Sequence, residues 1–143
     1  MATPYRLKVV TPEETVYDQS AVMIVVRSTE GEIGIMAHHM RIITPLLPHI
    51  MAVYQENGPI QQFSVGGGFL EVGDEQTVVL ADSAETAARI DVARAERAQQ
   101  RALERLATGA PNIDLKRAQR ALARAENRLK LAGRLDRAVA STR

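Results

Sequence analysis

Two periodicities divide the chain. From Tyr5 to Val9 apolar and polar side chains alternate (Tyr5-Arg6-Leu7-Lys8-Val9), the period of two of a strand with one buried face. Thr11-Pro12-Glu13-Glu14 interrupts the alternation and Thr15-Val16-Tyr17 resumes it. Ala21 to Val26 is a short run rich in β-branched residues, long enough for a strand and too short for a helix. Ile50 to Gln55 and Ile60 to Val65 flank Asn57-Gly58, which predicts a hairpin whose Asn-Gly pair takes the positive φ angles of a type I′ turn. Gly73-Asp74 separates Phe69 to Val72 from Gln76 to Leu80, and Gly66-Gly67-Gly68 marks a tight turn or a close approach of two backbones. Turn signals at this spacing predict an antiparallel sandwich or barrel.

Beyond residue 88 the period changes. Leu115, Ala118, Leu122, Ala125, Leu129 and Ala132 recur at alternating steps of three and four, the seam of a packed helix. Val92, Ala95, Gln99, Ala102 and Leu106 give a weaker version upstream. Between them, Thr108-Gly109-Ala110-Pro111-Asn112 supplies a glycine stop and an asparagine able to cap a second helix. The short connection makes the helices antiparallel neighbours. Alanine on the seam lets backbones approach but buries little area, so the hairpin needs a further surface and is suited to choosing between several.

Charge follows the same boundary. Residues 1–88 carry four Lys+Arg against 11 acidic residues, a net of −7, and residues 89–143 carry 14 against six, a net of +8. All five aromatics and seven of the nine glycines lie in the first part. The chain therefore reads as two modules with different partners, residues 1–86 and residues 87–143. No cysteine is present, which excludes disulfides, zinc-thiolate sites and thiol catalysis. No apolar run approaches the length of a membrane span, and the start Met1-Ala-Thr-Pro-Tyr-Arg lacks a signal-peptide core, so a cytosolic location without membrane insertion is expected.

The chemical inventory is thin. His38 and His39 are adjacent and would point to opposite faces of a strand, which makes them a poor metal pair; with His49 they read as loop or interface histidines. Ser28, Ser64 and Ser83 lack the context of a nucleophile elbow. The triple glycine precedes neither a Lys-Ser/Thr pair nor a helix, so it is no phosphate loop. No catalytic residue and no metal site are expected. Arg117, Arg120, Arg124 and Arg128 form a stripe on one helical face, open to nucleic acid or to an acidic protein surface. With no aromatic after Phe69 there is no base-stacking platform, although a basic hairpin that binds nucleic acid on a β scaffold remains the alternative reading. Asp91 opens the first helix, where the dipole favours an anion, and a folded hairpin could bring Arg94 together with Arg124 and Arg128 on a polyphosphate.

One resemblance joins these features. Glu30-Gly31-Glu32-Ile33-Gly34-Ile35, a histidine shortly after, Ser64-Val65-Gly66-Gly67-Gly68-Phe69-Leu70-Glu71-Val72 and Val79-Leu80-Ala81, followed by an Ala/Arg-rich hairpin with Ile113-Asp114-Leu115-Lys116-Arg117-Ala118, are similar to the epsilon subunit of F-type ATP synthase over nearly the whole chain. The resemblance implies a two-part α+β fold, an N-terminal antiparallel β-sandwich of about ten strands and a C-terminal antiparallel two-helix hairpin. It implies a non-catalytic subunit of the rotating central stalk, peripheral on the cytoplasmic face of a bacterial membrane. Its sandwich would bind the gamma subunit and the c-ring. Its hairpin would reach the beta subunits and block ATP hydrolysis.

Residue by residue, the resemblance assigns Glu32 and His39 to the contact between stalk and ring, and Arg117, Arg120, Arg124 and Arg128 to an acidic segment of the beta subunit. Ile90, Asp91 and Arg94 fall on a regulatory ATP-binding motif, with Glu85, Arg124 and Arg128 on the rest of that site; no cofactor is required. Ala37-His38-His39-Met40-Arg41 departs from the Pro-Gly-His-Ala-Pro of many relatives. The loss of two prolines and a glycine relaxes the loop, and Arg41 adds charge beside a subunit contact.

Overall fold

The computed structural model describes residues 2–109 and 114–133. Eight strands come first: β1 (Tyr5–Val10), β2 (Thr15–Ala21), β3 (Met23–Ser28), β4 (Gly31–Met36), β5 (Ile42–Tyr54), β6 (Gln61–Val72), β7 (Gln76–Ala81) and β8 (Ala84–Glu85). A short 3-10 turn at Ala87–Arg89 leads into α1 (Val92–Thr108) and α2 (Leu115–Leu131).

The strands are hydrogen-bonded in the order β2-β1-β7-β6-β5-β3-β4, with β8 on β6. Eight continuous strands replace the ten expected because β5 and β6 each serve twice. The first half of β5, Ile42 to Leu46, pairs with the second half of β6, Val72 to Gly68, which also carries β7. The second half of β5 pairs with β3 and with the first half of β6, which carries β8. Each strand thus continues through a bend into the other layer of the sandwich. Gly67 and Gly68 stand in the bend of β6 with φ of 99° and 136°. A Cβ on Gly68 would fall 2.9 Å from Ala81 Cα, so the triple glycine marks a close approach in mid-strand, with no tight turn there.

Two further expectations are corrected. One pair, β1 with β7, is parallel, because the layer closes with strands distant in sequence. The β5–β6 hairpin has a six-residue loop, Gln55 to Ile60, in place of a type I′ turn; Gly58 alone takes positive φ, and Pro59 cannot donate to a ladder that resumes at Gln61.

Leu7, Ile24, Ile35, Met51, Val53, Val65, Leu70 and Val79 are fully buried between the layers. Phe63 meets Tyr17 edge to face, with ring centres 6.1 Å apart. His49 is buried here as well, on a part of β5 where the register with β3 slips between Val25 and Ser28. Its ring Nδ1 lies 2.6 Å from the Leu47 carbonyl, while Nε2 has no partner among the described residues.

His38 and His39 lie in the β4–β5 turn and not on a strand. His38 adopts φ of 63°, the left-handed conformation that favours glycine.

Both helices start on an aspartate. Asp91 accepts from the Arg94 N–H at 3.1 Å and Asp114 from the Arg117 N–H at 3.1 Å, so Ile90-Asp91-x-x-Arg94-Ala95 and Ile113-Asp114-x-x-Arg117-Ala118 are the same cap written twice. Asp114, two residues beyond the expected Asn112, is the cap of α2; Asn112 itself lies outside the described residues. Gly109 ends α1 in the left-handed conformation.

The helices pack through Ala95 and Ala102 of α1 against Ala118, Ala125 and Leu129 of α2. Leu115 is 53% exposed and falls off the expected seam, because the first turn of α2 meets α1 only from Ala118 onward. The other face of α2 rests on β5 and β6, which supplies the further surface that the thin alanine seam requires.

Candidate functional site

A cleft of about 740 Å³ lies where the hairpin meets the sandwich, within the size range of small-molecule sites. Its walls come from the β1–β2 turn, the Asp82-to-Glu85 stretch, α1 and α2. Backbone pairing fixes the Asp82-to-Glu85 stretch: Asp82 donates to Gly67 O and Gly66 to Ser83 O, both at 2.9 Å, before β8 pairs with Val65 and Ser64.

The cleft holds six arginines and five carboxylates. Arg128 Nε lies 2.7 Å from Glu85 Oε1, and its terminal nitrogen donates to Ser83 Oγ at 3.2 Å. Arg89, from the linker, reaches Glu14 Oε1 at 2.7 Å. Both bonds cross from the helical part to the sandwich. Arg124 lies against Gly66, where an added Cβ would sit 3.1 Å from its Cδ and would collide with Ser83 Oγ. Partial burial first, and then the neighbouring Arg128, Arg120 and Arg117 guanidiniums against the help of Asp82, lower the pKa of Arg124.

The sequence-expected nucleotide residues Glu85, Asp91, Arg94, Arg124 and Arg128 all line this cleft. Ile90 is buried between the 3-10 turn and the cap of α1 and is not among the lining residues. Arg117 and Arg120 lie outside the cleft on exposed turns of α2, continuous with Arg124 and Arg128. Glu32 is exposed on β4, opposite Arg27 of β3. His39 is in the β4–β5 turn, its Nδ1 2.8 Å from Met40 O. Met36, Met40 and Ile43 of the same segment are more than half exposed, an apolar rim around that turn.

Glu14, Asp82, Arg89, Arg101 and Arg105 line the cleft without having been singled out in the sequence, and Ser83, set aside there as a nucleophile, lines it as a hydrogen-bond acceptor for Arg128. Arg94, Arg101 and Arg105 repeat at steps of seven and four, a signal as readable as the stripe on α2. The Arg89–Glu14 bond has no local signal at all. Among the described residues no cluster fit to hold a metal occurs, and no helix is long and apolar enough to cross a membrane.

Residues 4–87 match the family model for the beta-sandwich domain of the ATP synthase delta/epsilon chain, and residues 89–133 match that for its long alpha-helix domain. The ATP synthase epsilon chain of Pelotomaculum thermopropionicum is 52% identical over 128 residues, 90% of this chain and 95% of that one. The epsilon chain of Carboxydothermus hydrogenoformans is 51% identical over 135 residues, 94% of this chain and 100% of that one. Among solved structures, a chain of the Euglena gracilis mitochondrial ATP synthase (OSCP/F1/c-ring) matches with a TM-score of 0.66 at 23% identity, covering 97% of this chain and 83% of that one. A chain of the Tetrahymena thermophila central stalk and c-ring matches at 0.59 and 13% identity, covering 94% and 97%; both share the fold. The nucleic-acid reading finds no support among these relatives. This chain belongs to the epsilon-chain family of the ATP synthases.

Proposed function

We propose that this epsilon chain is a non-catalytic regulator in the rotor of an F-type ATP synthase, peripheral on the cytoplasmic face of a bacterial membrane. The sandwich is its anchor on the gamma subunit and the c-ring, with Glu32 and His39 in the contact. The hairpin is its movable part. In the compact form described above, Arg124 and Arg128 face the sandwich and are withheld from the beta subunits. In an extended form they join Arg117 and Arg120 as one cationic stripe, which meets an acidic segment of beta and stops ATP hydrolysis. The supporting observation is the convergence of Glu85, Asp91, Arg94, Arg124 and Arg128 on one cleft that exists only while the hairpin is folded down.

ATP bound in that cleft holds the hairpin down. A ligand specific to one state shifts the balance by about 2.7 kcal/mol at a hundredfold excess over Kd, enough to reset a switch whose states differ by a few kcal/mol. Calorimetric titration of the chain with ATP tests the reading. Heat is expected from the wild type and a weaker response from Arg94→Ala and Arg124→Ala; no heat from the wild type removes the nucleotide role. Deleting residues 89–143 is expected to leave assembly intact and to raise ATP hydrolysis by the complex. Unchanged hydrolysis removes the inhibitory role.

A further inference from the structure

The cleft extends past the residues just assigned to ATP. Arg94, Arg101 and Arg105 line it from α1. Arg94 and Arg105 are eleven positions apart, so the row covers about 16 Å of helix, some three turns. None of the row's guanidiniums makes an ion pair or a side-chain hydrogen bond among the described residues; of the carboxylates in the cleft, Glu14 and Glu85 are occupied by Arg89 and Arg128 and Asp91 by the Arg94 N–H, while Glu13 and Asp82 offset part of the positive charge. Arg124 faces the same space from α2, with the Arg128, Arg120 and Arg117 guanidiniums near it opposed by Asp82. Such rows of cations repel one another, and a linear anion laid between them relieves the repulsion.

The walls say which anion. No aromatic lines the cleft, so nothing stacks on a base, and recognition falls to the arginine forks, which suit phosphate oxygens. Ala95, Ala98, Ala102 and Ala121 form the remaining helical wall. An acidic peptide would bring backbone N–H and C=O groups into a wall of methyls that cannot answer them. A phosphate chain has no such groups. A triphosphate is too short to run the length of the row from Arg94 to Arg105, which leaves Arg105 without a role.

We infer that the cleft binds linear inorganic polyphosphate, with Arg105 gripping phosphates beyond the third. The inference rests on the compact hairpin of the proposed function, but it does not need the adenine. Polyphosphate would then hold the hairpin down as ATP does, through a longer grip.

The test is calorimetry on the full chain at fixed salt with inorganic triphosphate, linear polyphosphate, ATP and poly-L-glutamate. Polyphosphate is expected to bind about tenfold more tightly than triphosphate, the weight of one added charge-assisted contact. Arg105→Ala is expected to erase that difference and to leave triphosphate affinity unchanged. Arg97→Ala, on an exposed position of α1 outside the cleft, is expected to change neither. Equal affinity for the two phosphates, an equal effect of Arg97→Ala, or poly-L-glutamate binding as tightly as polyphosphate overturns the inference. If polyphosphate binds with this dependence on Arg105 and ATP does not bind, the ATP reading falls and this one stands. ATP binding without dependence on chain length has the opposite result. Arg105 also complements the dipole in the last turn of α1. Arg105→Lys keeps that charge and is expected to melt like wild type while losing part of the polyphosphate preference; full retention of the preference counts against a fork grip.

Discussion

Arg128 of α2 and Glu85 of β8, 43 residues apart, meet at 2.7 Å and fasten the helical hairpin to the sandwich. Both side chains are about three-quarters buried, and Ser83 Oγ takes a second guanidinium N–H. Removing one partner strands the other in the cleft, so the loss exceeds that of an ion pair in water. Glu85→Gln is expected to weaken hairpin docking by about 1 kcal/mol, and Arg128→Ala by somewhat more. Hydrogen exchange of the α2 amides reads this directly: protection should fall in α2 and persist in β5 and β6. Unchanged protection in both variants would mean that apolar packing alone seats the helix.

Gly66 is the notch into which α2 settles. With Ser83 Oγ and Arg124 Cδ both close to the place of a Cβ, a methyl group forces the Ser83 hydroxyl away from Arg128 and crowds the stem of Arg124. Gly66→Ala is expected to cost about 1–3 kcal/mol of hairpin docking, the usual penalty of overpacking. The sandwich core should melt near its wild-type temperature. An unchanged α2 exchange pattern would show that β8 gives way instead.

Strands whose faces are half buried were readable from residue alternation, as in β1, and the Gly73-Asp74 turn between β6 and β7 appeared where expected. Pairing partners were not readable, because β1 lies beside β7 through contacts between residues about 70 positions apart, and no local pattern encodes that. The two residues of β8 are too few to carry a period. The seam of α2 was legible from Ala118 to Leu129 and failed at Leu115, where the period continues but the partner helix has ended. In the cleft, arginines on regular helical steps could be found from sequence. Glu14 and Ser83 could not, since only the folded sandwich brings their loops to the helices.

Asp91 lies in the cleft, but its hydrogen-bond partner is the Arg94 amide, the same bond that Asp114 makes with Arg117 outside the cleft. Asp91→Ala and Asp114→Ala are therefore each expected to cost about 1 kcal/mol of hairpin stability, and Asp91→Asn only a few tenths, since asparagine caps nearly as well. Helical content followed on heating checks the three variants. If Asp91→Asn melts like wild type yet loses the ATP response, the carboxylate acts on the ligand in addition to capping; equal ATP binding confines it to the cap.

His49 gives the sandwich a pH dependence of defined sign. Burial is the main force that lowers its pKa below 6.5; Arg27 adds to it, while the Leu47 carbonyl and Glu32 oppose it. With Nδ1–H donated to Leu47 O, protonation would place a second N–H at Nε2, which has no acceptor among the described residues. The unfolded chain takes up this proton near pH 6.5 and the folded chain only at lower pH, so below 6.5 the unfolded state binds more protons. The stability contributed by neutral His49 is fully present above 6.5 and is lost as pH falls from there through the lower folded value. Melting temperatures of the wild type should decline over that window, and His49→Leu should flatten the decline even if it shifts the whole curve. Because Arg27 and Glu32 both face this position, Glu32→Gln removes a nearby charge that favours protonation, lowers the folded value further and is expected to extend the decline to lower pH while its onset near 6.5 stays in place; a decline that levels off where the wild type's does would assign the dependence to other groups.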